Sequence, residues 1–166
     1  YNISQVSTAP FFYGAQPNLG LYFQPDGPCP NAAELMPMGK VEEARKSQEE
    51  AADYLTDDLV FVGKKLAEVG LEGLNFDTCG SAGDADFLAA LRAVEKLKEE
   101  VPDLPILMGG SGEFVIGMHG GLEYNGKRLA GMYTCDQAKA EESAGASIYG
   151  MAVNTVTTES VPWNLA

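Results

Sequence analysis

The strongest constraint on the fold is an alternation of helical and buried-strand patterns that begins near residue 40. Apolar residues recur every three or four positions in the helical segments, whereas the strand segments are short apolar runs bounded by turn residues. The predicted elements are a helix at 40–69, a strand at 71–78, a helix at 85–100, a strand at 105–108, a hairpin around Asn125–Gly126, a helix at 135–144 and a strand at 146–153. This alternation predicts an α/β fold with parallel strands joined by right-handed crossovers.

The first helix carries the clearest pattern. Acidic residues lie near its start, and Lys64 and Lys65 lie near its end, which suits the helix dipole. Gly70 follows the last periodic position and is a typical residue for a helix C-cap. The apolar positions at three- and four-residue steps are Leu55, Leu59, Val62, Leu66 and Val69. They predict one continuous buried stripe along the helix.

Residues 1–39 differ in composition, because they are rich in proline, glycine and aromatic residues. Such a stretch cannot hold a long helix or a central strand, so it predicts an irregular arm, with a binding loop as the alternative. Several of its side chains are too apolar for a free linker and are expected to pack on another part of the protein. They are Phe11, Phe12, Tyr13, Leu21, Tyr22 and Phe23.

The domain organisation follows from these two regions. We expect an irregular arm at 1–39 and a partial α/β barrel segment at 40–166. A closed eightfold barrel needs about 250 residues, so this chain would hold about three of its eight repeats. The sequence opens on Tyr1 rather than Met and stops shortly after Val161–Pro162, where a helix could begin. We therefore expect the natural chain to continue beyond Ala166.

The charge balance argues against polyanionic partners. The chain has 11 Lys and Arg residues against 24 Asp and Glu residues, a formal net charge of -13. Binding to nucleic acid or to an anionic membrane requires clustered basic side chains, and the sequence has no such cluster. A cationic ligand fits this field better, although many proteins are acidic only for solubility. No apolar run approaches the ~20 residues that a membrane-spanning helix needs.

The cysteines and the histidine match no metal or disulfide pattern. Cys29, Cys79 and Cys135 are far apart in the sequence, and His119 is the single histidine. A zinc site needs closely spaced pairs of such ligands. Reduced thiols and a cytoplasmic location are therefore expected. His119 lies among glycines, where it is either a proton shuttle or, as we favour, a side chain hydrogen-bonded within a loop.

Polar side chains mark the end of each predicted strand, where functional groups gather in parallel α/β folds. The first strand ends in Asn75 and Asp77, the second is followed by Glu113, and the third is followed by Asn154. A carboxylate at such an edge can hold an ammonium group or take its proton. Asp77 and Glu113 are therefore the candidate catalytic pair.

Each of these residues also has a plain structural explanation. Asp77 could accept hydrogen bonds from amides of the turn at 79–83, and Glu113 could be a helix-start or surface charge. Asn154 could either orient a ligand or satisfy a turn. Cys79 follows the strand end directly, but the sequence shows no base beside it, so we interpret it as a small packing residue.

Several stretches of the sequence resemble one known family. They are NFDT at 75–78, SAGDADFLAALRAVE at 81–95, GEFVIGMHG at 112–120, LEYNGKRLAG at 122–131, and VNT with VPWNLA near the end of the chain. Together with YGAQPNLGLYFQPDGPCPN near the start, they are similar to the dimethylamine methyltransferases of methylamine-using methanogens. The resemblance spans nearly the whole chain.

The resemblance implies part of a TIM-type (β/α)8 barrel with a small hairpin insertion, in an enzyme of methanogenesis from methylamines. The reaction would transfer a methyl group from dimethylamine to the cobalt of a separate corrinoid protein, so this chain would bind no cofactor directly. In the family a pyrrolysine is thought to bind and present the amine, and we expect it in a later segment of the natural chain.

The same resemblance suggests roles for the strand-end residues. Asp77 and Glu113 would manage the proton of the amine, because the chemistry of the pyrrolysine imine needs a free amine. Asn75, Asn154 and Tyr133 would bind the substrate. A methylated ammonium group also favours aromatic faces, which Tyr133 or Phe76 would offer, although we favour a core position for both rings.

Two other functions stay open. The first is a non-catalytic piece that docks a corrinoid protein through the aromatic arm at 1–39. The second is another barrel enzyme of the aldolase or phosphate-binding kind, which is disfavoured because the three predicted strands contain no lysine. A three-repeat segment would also expose two sheet edges and much apolar surface, so we expect a homo-oligomer.

Overall fold

The computed structural model describes residues 17–23, 25–77, 83–110 and 119–151. The α-helices are α1 (Ala32–Leu35), α2 (Val41–Glu68), α3 (Asp84–Glu100) and α4 (Thr134–Ala144). The strands are β1 (Leu74–Asp77), β2 (Ile106–Gly110), β3 (Glu123–Tyr124), β4 (Lys127–Arg128) and β5 (Ile148–Met151). A 3-10 helix, Leu19–Phe23, precedes α1. These elements confirm the alternation predicted after residue 40.

The three longer strands form one parallel sheet in the order β1–β2–β5. In its register Phe76 lies beside Met108, and Met108 lies beside Tyr149. The α/β class and the parallel strands are therefore confirmed. In the described residues the parallel sheet has three strands and is not a closed barrel, so the barrel stays a prediction.

Helices α2 and α3 run side by side in the same direction. Two ion pairs show this, because Asp53 bonds to Arg92 at 3.0 Å and Asp57 bonds to Lys96 at 2.8 Å, so the partners advance together along both helices. The axes come close at Gly63, where a Cβ atom would lie 2.9 Å from Cδ1 of Leu97. Parallel neighbouring helices are expected when each one precedes a strand of the same parallel sheet.

The predicted apolar stripe of α2 is confirmed in its middle and wrong at its end. Leu55 and Leu59 are fully buried, but Leu66 is partly exposed and Val69 is 81% exposed. The reason is the shorter length of α3, whose last residue, Glu100, pairs with Lys64. The final turn of α2 therefore extends past its packing partner. Gly70 ends the helix with a φ of +87°, as the sequence predicts.

The hydrophobic core lies between the helices and one face of the sheet. Phe76, Ile106 and Met108 are buried there in the same cluster as the apolar residues of α2, α3 and α4. Because α3 contacts α2 on one side and α4 on the other, the three helices form a single layer. We call the opposite face of the sheet, on which none of these described helices packs, the uncovered face. It carries the exposed Asn75 and Ile148 and the half-buried Leu107 in one cross-strand row.

The described part of the predicted arm packs on α2. Tyr22 is buried, donates a hydrogen bond from its hydroxyl to Oδ2 of Asp58 at 2.8 Å, and stacks on Tyr54 with ring centroids 6.0 Å apart. Phe23 also packs against the core, whereas Leu21 is exposed. Phe11, Phe12 and Tyr13 lie outside the described residues. The division into an arm at 1–39 and a segment at 40–166 stays a prediction.

The hairpin insertion is confirmed at the predicted turn. Strands β3 and β4 pair antiparallel around Asn125 and Gly126, which both have positive φ, as the tightest hairpin turns require. The Tyr124 hydroxyl donates to Oε1 of Glu95 on α3, and the Asn125 amide donates to the Ser143 hydroxyl on α4. The hairpin therefore bridges these two helices. Within the described ranges, no helix is both long enough and apolar enough to span a bilayer.

Candidate functional site

The carboxyl edge of the sheet brings together two of the predicted site residues. Asp77 is the last residue of β1 and the register partner of Gly109, which in turn pairs with Gly150 of β5. Asn75 lies two residues earlier in β1, opposite Leu107, and is exposed on the uncovered face. The two glycines leave the row beside Asp77 without side chains. This edge is therefore the candidate functional site.

The structure does not place any of the other predicted site residues in the strand row that contains Asp77. Glu113 and Asn154 lie outside the described residues. Tyr133 is the N-cap residue of α4, where its carbonyl accepts the amides of Asp136 and Gln137, and its side chain is 68% exposed. A core position for Tyr133 is therefore wrong. Phe76 is buried against the helix layer, which confirms the core alternative for that aromatic ring.

A cluster of polar side chains lies at the start of α3, the helix that follows β1. We define the edge cluster as the buried Asp84, Asp86 and His119 together with the exposed Glu49. Oδ2 of Asp84 accepts the Gly120 amide at 2.9 Å, and Oδ1 of Asp86 accepts the Leu19 amide at 3.0 Å. Both carboxylates are almost fully buried. Because buried charges are stable only when hydrogen-bonded, these contacts tie two distant chain segments to the first turn of α3.

His119 connects the edge cluster to α2. Its Nδ1 accepts the Gly121 amide at 3.1 Å, and its Nε2 lies 2.8 Å from Oε1 of Glu49. With Nδ1 as an acceptor, the neutral ring carries its proton on Nε2 and donates it to the carboxylate. The ring is buried and both nitrogens are engaged. This confirms the interpretation of His119 as a side chain hydrogen-bonded within a loop.

Comparison with known families gives the site its context. The family model described as dimethylamine methyltransferase (Dimeth_PyL) matches residues 1–166. The chain belongs to the dimethylamine methyltransferase family. No solved structure matches it.

Family membership confirms the resemblance carried by stretches such as NFDT at 75–78, and it confirms that the chain derives from a methyltransferase family. Asn75 and Asp77 both belong to β1, and Asp77 is its last residue. In parallel α/β folds, functional groups gather at the carboxyl ends of the strands.

Sequence reasoning missed the long-range partners of the edge cluster. The predicted helix at 85–100 begins one residue earlier, at Asp84, and the prediction did not identify Asp84 as the acceptor for Gly120. It assigned no role to Asp86. A usable signal existed, because two acids stand directly before the apolar run that starts at Phe87 and share its buried helix. Acids in that position need partners from elsewhere in the chain.

A third buried acid was also missed. Glu141 on α4 is fully buried, and neither of its carboxylate oxygens has a hydrogen-bond partner in the described structure. Burial raises the pKa of Glu141 to about 8. The segment at 135–144 has the composition of a polar helix, so no sequence pattern indicates this burial.

The cysteines and the other possible metal ligands do not lie together in the described structure. Cys29 is a buried free thiol whose pKa is raised by burial, and Cys135 is an exposed free thiol. Cys79 lies outside the described residues. In the part of the chain that the structure describes, no three His, Cys, Asp or Glu side chains are grouped to hold a metal ion.

Proposed function

We propose that this chain is part of an enzyme that transfers a methyl group from dimethylamine to the cobalt of a separate corrinoid protein, in methanogenesis from methylamines. The observation that carries the proposal is the match of the dimethylamine methyltransferase family model to residues 1–166. The corrinoid would belong to the partner protein and would supply the metal that accepts the methyl group. The chain itself would bind no cofactor directly.

The architecture supports a TIM-type barrel as the frame of this enzyme. Strands β1, β2 and β5 follow one another across the sheet in chain order, and α2, α3 and α4 form one layer on one face. In a TIM barrel the helices lie outside and the other face of the sheet turns inward. The uncovered face, with Asn75, Leu107 and Ile148, would then line the interior of the barrel.

The proposed substrate site lies at the carboxyl edge of this sheet. Dimethylamine is a cation at neutral pH, and its nitrogen must lose a proton before it can act as a nucleophile or be presented for methyl transfer. Asp77 and Glu113 would hold the ammonium group and take its proton. The amides of Asn75 and Asn154 would orient the amine, and the exposed ring of Tyr133 would offer a face for its methyl groups.

The chain lacks the pyrrolysine that the family resemblance implies, since the 166 residues contain none. The roles proposed for these residues are therefore binding and proton handling. The net charge of -13 supports a cationic substrate because it raises the local concentration of cations. We also propose that the protein is cytoplasmic and that it forms a homo-oligomer. Self-association is expected because two sheet edges with unpaired backbone groups favour it.

The test is a methyl-transfer assay with the protein purified in its natural length, a reduced corrinoid protein, and dimethylamine. We expect methylation of the cobalt, read from its absorbance, with dimethylamine preferred to monomethylamine and trimethylamine. Asp77→Asn should reduce kcat/KM at least tenfold. Glu142→Gln, an exposed acid on α4, is the matched control and should leave it unchanged.

Two outcomes would contradict this proposal. No methylation from any of the three amines, with a corrinoid protein shown to accept methyl groups by another route, would exclude methyl transfer. Tight binding of the corrinoid protein without turnover would favour the non-catalytic docking function. An unchanged kcat/KM in Asp77→Asn would remove Asp77 from the site while leaving the reaction in place.

A further inference from the structure

The candidate for a further inference is Glu141, which lies on α4 far from the edge cluster in the sequence. Its side chain is 0% exposed, and both carboxylate oxygens lack a hydrogen-bond partner in the described structure. Helix α4 packs on β2, β5 and α3. A buried carboxylate without partners is among the most costly groups that a fold can contain, whereas its protonated form is far less costly.

The chain itself has no base to offer Glu141. All eleven basic residues of the sequence fall in the described ranges, and none forms an ion pair with this carboxyl group. They are Lys40, Arg45, Lys46, Lys64, Lys65, Arg92, Lys96, Lys98, Lys127, Arg128 and Lys139. The undescribed residues contain no Lys or Arg. No Lys or Arg side chain of residues 1–166 therefore neutralises Glu141.

The ionisable groups on the elements packed against α4 do not neutralise Glu141. On β5, desolvation raises the pKa of the Tyr149 phenol, and the charges of Glu142 and Glu141 raise it further. From α3, Lys98 lies against Gly145, but its Nζ donates to the carbonyls of Pro102 and Leu104. Strand β2 carries no ionisable side chain.

We propose that Glu141 folds in its protonated form and that its ionisation loosens α4 from β2 and β5. The device is a pH-sensitive contact between one helix and the sheet, and it does not depend on the function proposed above. Proton loss would place an unpaired charge under α4, and the lowest-cost response is a local opening that admits water.

The direction of the pH dependence follows from linkage. Glu141 has an ordinary pKa of 4.5 when unfolded and a pKa of about 8 in the fold. Between these values the folded state binds one proton more than the unfolded state, so stability falls as the pH rises. The stability that the protonated Glu141 contributes is fully present below pH 4.5 and is lost as the pH passes about 8. Within this window the unfolding equilibrium constant rises by at most about tenfold per pH unit from this group.

The experiment compares urea unfolding of the natural-length protein and its Glu141→Gln variant at several pH values from 5.5 to 8. Glutamine keeps the size of the side chain and cannot ionise. We expect the wild-type unfolding constant to rise relative to the variant by several-fold to tenfold per pH unit. The control is Glu142→Gln, the exposed neighbour, which should follow the wild type.

A measurement on the wild type alone covers the case in which the variant fails to fold. Hydrogen exchange of the α4 amides, corrected for intrinsic rates and compared with the α2 amides, should show protection of α4 falling as the pH rises. Equal pH profiles for wild type and Glu141→Gln would overturn the proposal. So would a variant that is destabilised equally at every pH, because that result means an ionised Glu141 paired with a base from outside residues 1–166.

Discussion

The two faces of the parallel sheet differ in what covers them. On the helix-covered face, Ile106 and Met108 are fully buried beneath the layer formed by α2, α3 and α4. On the uncovered face, the same strands carry Asn75 and Ile148, and Ile148 is 52% exposed. Alternate residues of one strand therefore serve different purposes, since successive side chains point to opposite faces.

Because of this difference, the covered face mainly stabilises the fold, whereas the uncovered face is available for a functional site. The covered face is where apolar area is removed from water, and burial of this kind supplies most of the folding free energy. The uncovered face contributes less to stability, which leaves its positions available for polar residues and glycines. Asn75, Gly109 and Gly150 are such positions, and they lie at the edge where the substrate site is proposed.

The largest change in the free energy of unfolding is expected from a substitution on the covered face. It is measured by comparing adjacent residues of β2 that point to opposite faces. Met108→Ala should reduce the free energy of unfolding by about 2–5 kcal/mol, because it leaves a cavity in a closed core. Leu107→Ala should cost less than half of that amount, since Leu107 is only half-buried on the uncovered face. Urea unfolding of both variants measures the difference. Equal losses would show that the uncovered face is packed as tightly as the covered one.

An intermediate effect is expected at the carboxyl edge, where the two faces meet. His119→Ala removes the acceptor of the Gly121 amide and the partner of Glu49, and should cost about 1–3 kcal/mol because both hydrogen bonds of a buried ring are lost. Glu49→Gln is the control, since its amide oxygen can still accept from Nε2, and it should cost under about 1 kcal/mol. If His119→Ala left the free energy of unfolding unchanged, apolar packing alone would hold this edge.

The smallest effect is expected on the outer surface of the helix layer. Asp53→Asn breaks the exposed pair with Arg92 and should change the free energy of unfolding by less than about 1 kcal/mol, because exposed ion pairs are screened by water and salt. The difference should shrink further in high salt. Unfolding at low and high salt tests this. A loss comparable to that of Met108→Ala would mean that ion pairs, rather than burial, hold α2 to α3.

Local sequence signals predicted much of the fold correctly. Asn125–Gly126 specified a turn that needs two positive φ values, and Gly145 ends α4 in the left-handed conformation. The α/β class followed from alternating periods of apolar residues, which depend on each segment alone. Asn75 and Asp77 were placed at a strand end for the same reason.

Features set by distant partners could not be predicted in this way. Val69 continues the apolar period of α2 but is exposed, because α3 ends before reaching it. Asp86 accepts an amide from Leu19, and Glu141 is buried by strands that the local sequence does not reveal. In each case the burial or the hydrogen-bond partner depends on the length or position of another element. The residues next to such a position in the sequence contain no information about that element.

The hydrogen bond between Leu19 and Asp86 has a consequence for biosynthesis. The two residues are 67 positions apart, and ribosomes add about 5–20 residues per second. Leu19 is therefore synthesised roughly 3–13 s before its acceptor exists. During that interval the Leu19 amide lacks the carboxylate that accepts it in the fold, and Tyr22 gains its partners Tyr54 and Asp58 before α3 is made. A chaperone at the ribosome exit would meet this segment before α3, and the contact between Leu19 and Asp86 would form only after the synthesis of α3.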